Sequence, residues 1–202
     1  KYQRDEGEDR MELTGYEDLR VKKTITAIYE AFEALICEKD YAKITVKALA
    51  ERAQINKKTF YRYYPTLDDL LAEMQARYSQ QYLKITGEYH YPADLDKSVR
   101  AFFEYSAQQG EAYDRITCSR TYSGIRQQMI DQVMGSTWNQ SPAFNRLAAW
   151  QRTALLTFVQ DTGLTVYRQW VEGGKQQPLT DVIEAATALM RGGVAQFLKL
   201  TD

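Results

Sequence analysis

Ile44-Thr45-Val46-Lys47-Ala48-Leu49-Ala50-Glu51-Arg52-Ala53-Gln54-Ile55-Asn56-Lys57-Lys58-Thr59-Phe60-Tyr61-Arg62-Tyr63-Tyr64 is the stretch that decides the fold. Val46, Leu49, Ala50 and Ala53 recur at i, i+3, i+4 and i+7, so they form the buried stripe of a short helix. Ala50 is small where a second helix would cross closely. Ile55, Phe60 and Tyr64 add apolar positions further on. Thr45 and Asn56 stand where a side-chain oxygen can accept an orphan N–H at the start of each helix. Two short helices joined by a tight turn, the second rich in bases and hydrogen-bonding side chains, describe a helix-turn-helix. Such a unit lays its second helix in the major groove of DNA.

The charge agrees locally but not globally. The 202-residue chain has a formal charge of −1. Between Lys43 and Arg62 the bases are Lys43, Lys47, Arg52, Lys57, Lys58 and Arg62, the only acid is Glu51, and the window is therefore +5. A basic island on a near-neutral chain is the electrostatic footprint of a small DNA-reading face. Charge alone leaves open a solvated face on an ordinary helical hairpin.

The ordered side chains carry a resemblance. Thr45-Val46, then Ala50-Glu51-Arg52-Ala53, then Thr59-Phe60-Tyr61-Arg62-Tyr63-Tyr64-Pro65, then Leu70-Leu71 resemble the N-terminal domain of tetracycline-repressor (TetR) family regulators over about Leu19 to Met74. The resemblance implies an all-α chain: an N-terminal three-helix DNA-binding domain with a helix-turn-helix, and a larger C-terminal helical domain for ligand binding and dimerisation. It implies base contacts from Lys57, Lys58 and Thr59, with Asn56 at the start of the same helix. It implies phosphate contacts from Thr45, Lys47, Tyr61 and Tyr63. Three departures stand out. Gln54 occupies a turn position where the family often has Gly, and a positive φ there would strain it by roughly 1–2 kcal/mol. Tyr63 and Tyr64 replace a frequent His-Phe pair, so the Tyr64 hydroxyl needs a partner at the domain edge. Leu67 follows Thr66 where the family often has Lys, which implies one phosphate contact fewer.

The remaining chain reads as helix throughout, with no strand signal or repeat. Lys1–Gly15 is polar and mixed in charge and reads as a disordered leader. Residues 16–65 form the expected DNA-binding domain and 66–202 the effector-binding and dimerisation domain. Val21, Ile25, Ile28, Phe32, Leu35 and Ile36 make one stripe on a first helix running to about Cys37. Thr66 and Asp69 have the spacing of a capping box for a fourth helix ended by Gly87. Asp94 is the expected cap of a fifth helix ending near Gly110. Short helices follow at about Glu111–Thr117 and Ser123–Met134. Ser141-Pro142 opens a long helix expected to reach Val171, with Pro in the first turn where its missing N–H costs nothing. Gly173-Gly174 stops it, and Thr180 is expected to cap the last helix.

The last helix carries more apolar surface than one neighbour easily covers. Together with the family resemblance, this implies a two-fold contact through Trp170, Leu189, Val194 and Phe197, although a purely intramolecular core helix fits the same pattern. Gly192-Gly193 inside that helix costs about 1 kcal/mol per glycine relative to alanine, and is explained by a close approach of another backbone. Aromatic residues crowd the centre of the chain. They read either as plain core or as a ligand cavity, with Phe103, Tyr122, Met129 and Phe158 as its expected walls and an uncharged or aromatic effector. Asp114-Arg115 and Arg126 are the conspicuous charges there.

Several classes of function lack support. No dinucleotide, P-loop or nucleophile-elbow motif is present, and one histidine, His90, offers little for acid–base or metal chemistry. Hence no catalytic site, metal or cofactor is expected. No apolar run is long enough to span a membrane. Cys37 and Cys118 form no close pair, which suits a reducing cytoplasm. The sequence therefore reads as a homodimeric DNA-binding transcriptional regulator, a repressor released from double-stranded operator DNA by a small ligand. The alternative is a protein-interacting co-activator or partner-controlled regulator of the same fold with weak or no DNA binding. Lys57, Lys58 and Thr59 favour DNA.

Overall fold

A computed structural model describes residues 15–118 and 137–199 of the chain. The expected helix at Ser123–Met134, the leader up to Thr14, Arg126 and the candidate walls Tyr122 and Met129 lie outside the described residues. The helices are α1 (Gly15–Glu38), α2 (Val46–Arg52), α3 (Lys57–Tyr63), α4 (Leu67–Thr86), α5 (Leu95–Ala107), α6 (Glu111–Cys118), α7 (Pro142–Arg146), α8 (Ala149–Glu172) and α9 (Leu179–Leu198). A 3₁₀ turn, Tyr41–Lys43, leads into α2. Among the described residues there is no strand, and no helix is long and apolar enough to cross a membrane.

Two cores form. In the first, the α1 stripe (Ile28, Phe32, Leu35, Ile36) closes on Leu49 of α2, Phe60 of α3 and Leu70, Leu71 and Met74 of α4. Each large side chain fully removed from water contributes about 1.5–3 kcal/mol. In the second, α5, α8 and α9 pack together. Leu155, Val159, Gly163, Tyr167 and Trp170 give α8 a buried stripe at steps of three and four. It faces Val182, Ile183, Ala186, Met190, Val194 and Leu198 on α9.

Two elements belong to both cores. The N-terminal half of α4 packs in the first, while its Tyr78 and Tyr82 pack against the second. Helix α6 gives Ala112 and Ile116 to the first and Tyr113 to the second. Arg115 adds a hydrogen bond from Nη1 to the Ile36 carbonyl at 3.3 Å, placing a cation by the last turn of α1, where the helix dipole is negative. From its other side, α6 is pinned to the α8–α9 corner. Tyr167 Oη donates to Asp114 Oδ1 at 2.6 Å, and Lys175 Nζ reaches Asp114 Oδ2 at 2.7 Å.

The ends of the helices follow local chemistry. Thr66 and Asp69 complete the capping box of α4, with Asp69 N–H donating to Thr66 Oγ1 at 3.2 Å and Thr66 N–H donating to Asp69 Oδ2 at 2.9 Å. Ser141 caps α7, accepting from Phe144 N–H at 3.3 Å. Asp94 does not cap α5 with its side chain; its carboxylate accepts from His90 N–H instead, at 2.9 Å. Gly174 (φ 73°) and Lys175 (φ 55°) end α8, with Gly174 N–H bonded to Val171 O and Lys175 N–H to Trp170 O, each at 2.9 Å. That pairing is a Schellman motif, which places a left-handed residue just past the helix.

Two further expectations need correction. The helix opened by Ser141-Pro142 does not run to Val171. It stops at Arg146, and Leu147 (ψ 143°) and Ala148 (ψ 157°) are extended before α8 begins. The break turns the Leu147 side chain into the core, and Gln151 Oε1 satisfies the freed Ala148 N–H at 2.8 Å. Thr180 does not cap the last helix. Helix α9 begins at Leu179 after Pro178, whose fixed φ suits a helix entry.

Two stability measurements follow. Gln54 has φ 54°, a conformation that strains an L side chain by about 1–2 kcal/mol. Glycine relieves this but raises unfolded-chain entropy by about 0.4–1 kcal/mol. Gln54→Gly is expected to stabilise the protein by about 0.5–1 kcal/mol in urea unfolding; an unchanged or lower midpoint would contradict the strain. Tyr167→Phe keeps the ring but strips Asp114 of one of its two partners. It is expected to cost about 1–3 kcal/mol in the same assay, and a neutral result would show that the pin contributes nothing.

Candidate functional site

The turn between α2 and α3 is built by its backbone. Ile55 N–H bonds to Ala50 O at 2.9 Å and Gln54 N–H to Glu51 O at 3.3 Å. This is again a Schellman motif, with Gln54 at the left-handed position. The expected positive φ at Gln54 is therefore real, and two hydrogen bonds hold it. Thr45 Oγ1 caps α2 by accepting from Ala48 N–H at 3.2 Å. Asn56 Oδ1 caps α3 by accepting from Thr59 N–H at 2.7 Å and also from the Thr59 hydroxyl at 3.1 Å.

With Leu49 and Phe60 turned inward, the other face of the pair is left to solvent. Thr45, Lys47, Asn56, Lys57, Lys58 and Tyr61 are exposed, and Thr59 and Tyr63 are partly so. These eight candidate positions thus lie on two adjacent helices and their caps. Lys47 is within 3.9 Å of Glu51, an exposed pair that contributes little. Lys57 and Lys58 have no acidic partner among the described residues. Tyr64 is buried with its ring on Phe60, at 5.8 Å between centroids, and its phenol interacts with Tyr29, whose own hydroxyl donates to Glu73. Burial pushes the Tyr64 phenol up. The Tyr29–Glu73 bond ties α1 to α4 beside the end of the second short helix.

A cavity of about 170 Å³ opens between α4, α5, α6 and α8, with Met190 of α9 at its edge. Among the described residues no charged side chain lines it. Burial pushes its phenols up, Tyr105 to about 12 and Tyr82 and Tyr113 in the same direction, so all remain neutral hydroxyls. Gly163 helps keep it open, since a Cβ there would stand 3.2 Å from Met190 Cε. The expected walls are corrected. Phe103 does not line the cavity; it is fully buried against Tyr167, at 5.9 Å between ring centroids. Its neighbour Phe102 lines it instead, in helical phase with Leu95, Ser98, Val99 and Tyr105. Phe158 does not line it either: it is 39 % exposed and its ring lies on Gly193, where a Cβ would meet Cζ at 2.6 Å. The close approach that needs glycine at 193 is thus made by a ring of the same chain. Gly192 faces open space.

The four expected dimer contacts divide. Trp170 is only 8 % exposed, with its indole N–H donating to Gln177 O at 2.9 Å. Val194 is 1 % exposed. Both belong to the core of a single chain and are corrected to that role. Leu189 is 58 % exposed and Phe197 is partly exposed. The surface they share with Phe158 and Gly192 was legible in the sequence only as excess apolar character on α9.

The chain is similar to known proteins in two ways. Residues 28–74 match the family described as bacterial regulatory proteins, tetR family. No curated protein matches the chain by sequence. Its fold is like that of the fatty acid degradation regulator FadR from Bacillus halodurans, at 17 % identity over 84 % of this chain and 95 % of that one, TM-score 0.59. It is also like a tetR-family transcriptional regulator from Streptomyces coelicolor, at 14 % identity over 89 % and 88 %, TM-score 0.56. A TetR family protein from Vibrio parahaemolyticus matches at 18 % identity over 81 % and 96 %, TM-score 0.52. Residues 28–74, which hold the helix-turn-helix, thus match the tetR family of bacterial regulatory proteins, and the chain shares the all-helical fold of the regulators above.

Proposed function

We propose that the chain is a cytoplasmic, homodimeric repressor that a small uncharged ligand releases from its operator. The observation that carries the reading is the solvent-facing Lys57 and Lys58 at the start of α3, unneutralised on a chain of net charge −1. Residues 16–65 form the DNA-reading domain and 66–202 the effector and dimer domain, with α4 entering both cores. Lys57, Lys58 and Thr59 meet base edges; Thr45, Lys47, Tyr61 and Tyr63 hold phosphates, with Asn56 fixing the start of the helix. Phosphate contacts position and base contacts specify. A second copy docks on Leu189, Phe197 and Phe158 and sets two recognition helices about 34–36 Å apart, one turn of DNA. A ligand that fits the cavity better in one tilt of α4 changes that spacing. Its effect is limited to its differential affinity for the two states, about 1–3 kcal/mol.

Gel shifts with the DNA flanking the gene, then with a panel of site variants, test the first part. Lys58→Ala is expected to cost about 1–3 kcal/mol and to relax sequence preference. Tyr61→Phe is expected to weaken every sequence alike. Unchanged affinity and preference in Lys58→Ala would remove α3 as the reading helix. A wild-type protein that binds no DNA at low salt would favour the partner-controlled regulator. Assembly is checked by sedimentation at micromolar concentration. Wild type is expected at twice the chain mass and Leu189→Glu at one; a wild-type monomer would defeat the dimer.

A further inference from the structure

The cavity has two polar features that its apolar packing does not explain. Gln75 of α4 lines it, is only 6 % exposed, and has no hydrogen-bond partner for Oε1 or Nε2 among the described residues. Trp138 also lines it, is fully buried, and its Nε1–H is likewise unpartnered there. Gln75 occupies a position four residues after Leu71, on a face that is otherwise Leu70, Leu71, Met74 and Tyr78. A hydrocarbon would complete that stripe. Native proteins pair nearly all buried polar groups, so an amide facing a cavity with no partner among the described residues is a place for a ligand group to bind.

The chemistry of that partner follows from the groups left open. A carboxamide presents N–H donors beside a carbonyl acceptor. Its complement is a second edge of the same kind, a donor beside an acceptor. An ionised carboxylate offers no donor to Oε1, and among the described residues no lining cation compensates its lost hydration. A hydrocarbon leaves both Gln75 atoms unpaired. We infer that the cavity selects an uncharged carboxamide or lactam carrying an aromatic or alkyl body. The amide edge pairs with Gln75, the body lies among Tyr78, Phe102 and Tyr105, and Trp138 Nε1–H donates to a ligand oxygen. This rests on the cavity being the effector site. Gln75 directly follows Met74, the last α4 residue of the N-terminal core, so the ligand's polar end engages α4 at the seam between the two cores.

The test is calorimetric titration of the full chain at neutral pH with 4-phenylbutanamide, 4-phenylbutanoate and butylbenzene, which share a ring and a short chain. The amide is expected to bind at least tenfold more tightly than either of the others. In Gln75→Leu the amide is expected to lose at least tenfold in affinity, while butylbenzene binds as well as before or better. Without ligand, Gln75→Leu is also expected to melt about 2–4 °C higher, because an unpaired buried amide has been removed. That shift shows that the variant is folded. Carboxylate binding as tight as the amide, or an amide preference undiminished in Gln75→Leu, overturns the assignment and leaves the cavity a ligand site. Failure of all three compounds to bind wild type, butylbenzene included, overturns the cavity as the effector site and the assignment with it.

Discussion

Leu70, Leu71 and Met74 sit in one core, and Tyr78 and Tyr82 pack against the other, on a single uninterrupted helix. The remaining architecture depends on this shared rod. Its backbone hydrogen bonds run from the capping box at Thr66 to Thr86, so the two halves cannot move independently without breaking the ladder. A change in packing around Tyr78 or Tyr82 is therefore felt at Leu70 as a tilt. Helix α6 is a second bridge, held to α1 through Arg115 and to the α8–α9 corner through Asp114. Among the described residues, α4 and α6 thus couple the packing of one core to that of the other.

The electrostatics divide along the same line. The basic side chains of α2 and α3 face solvent, where charge is cheap and where a polyanion would meet them. The cavity, by contrast, is lined among the described residues by hydroxyls, rings, amides and aliphatic side chains without a formal charge. One buried carboxylate, Asp114, lies between the cores and is answered by Lys175 and the Tyr167 hydroxyl. Lys175 also lies over the Trp170 ring at 5.4 Å. Removing either partner would leave a buried charge under-compensated, and that makes the pair a strong positional constraint.

Much of this was legible in the sequence, and the parts that were not have physical reasons. The helix-turn-helix was readable because its signals are local: Thr45 and Asn56 cap, Leu49 and Phe60 bury, and Gln54 takes the left-handed position. The break at Leu147-Ala148 was not, because neither residue disfavours helix and the extended pair is imposed by the tertiary pull on Leu147. The cavity wall was missed by one residue. Phe102 and Phe103 are equally apolar, and only the helical phase set by Leu95, Ser98 and Val99 separates them. Trp170 and Val194 looked like interface residues because excess apolar surface does not say which part of it a chain covers by itself. Gln75 gave no signal at all, since a glutamine in an amphipathic helix is by default a surface residue.

Thr59 shows how a cap can edit what a side chain says. Asn56 Oδ1 accepts both the Thr59 N–H and the Thr59 hydroxyl proton. A free hydroxyl is both donor and acceptor, but this one has already given its proton inward. What it has left to offer is two lone pairs and a methyl group. In a major groove such a side chain can receive the amino hydrogens of adenine or cytosine and touch the methyl of thymine. The bare O6 and N7 of guanine would find nothing to bond there.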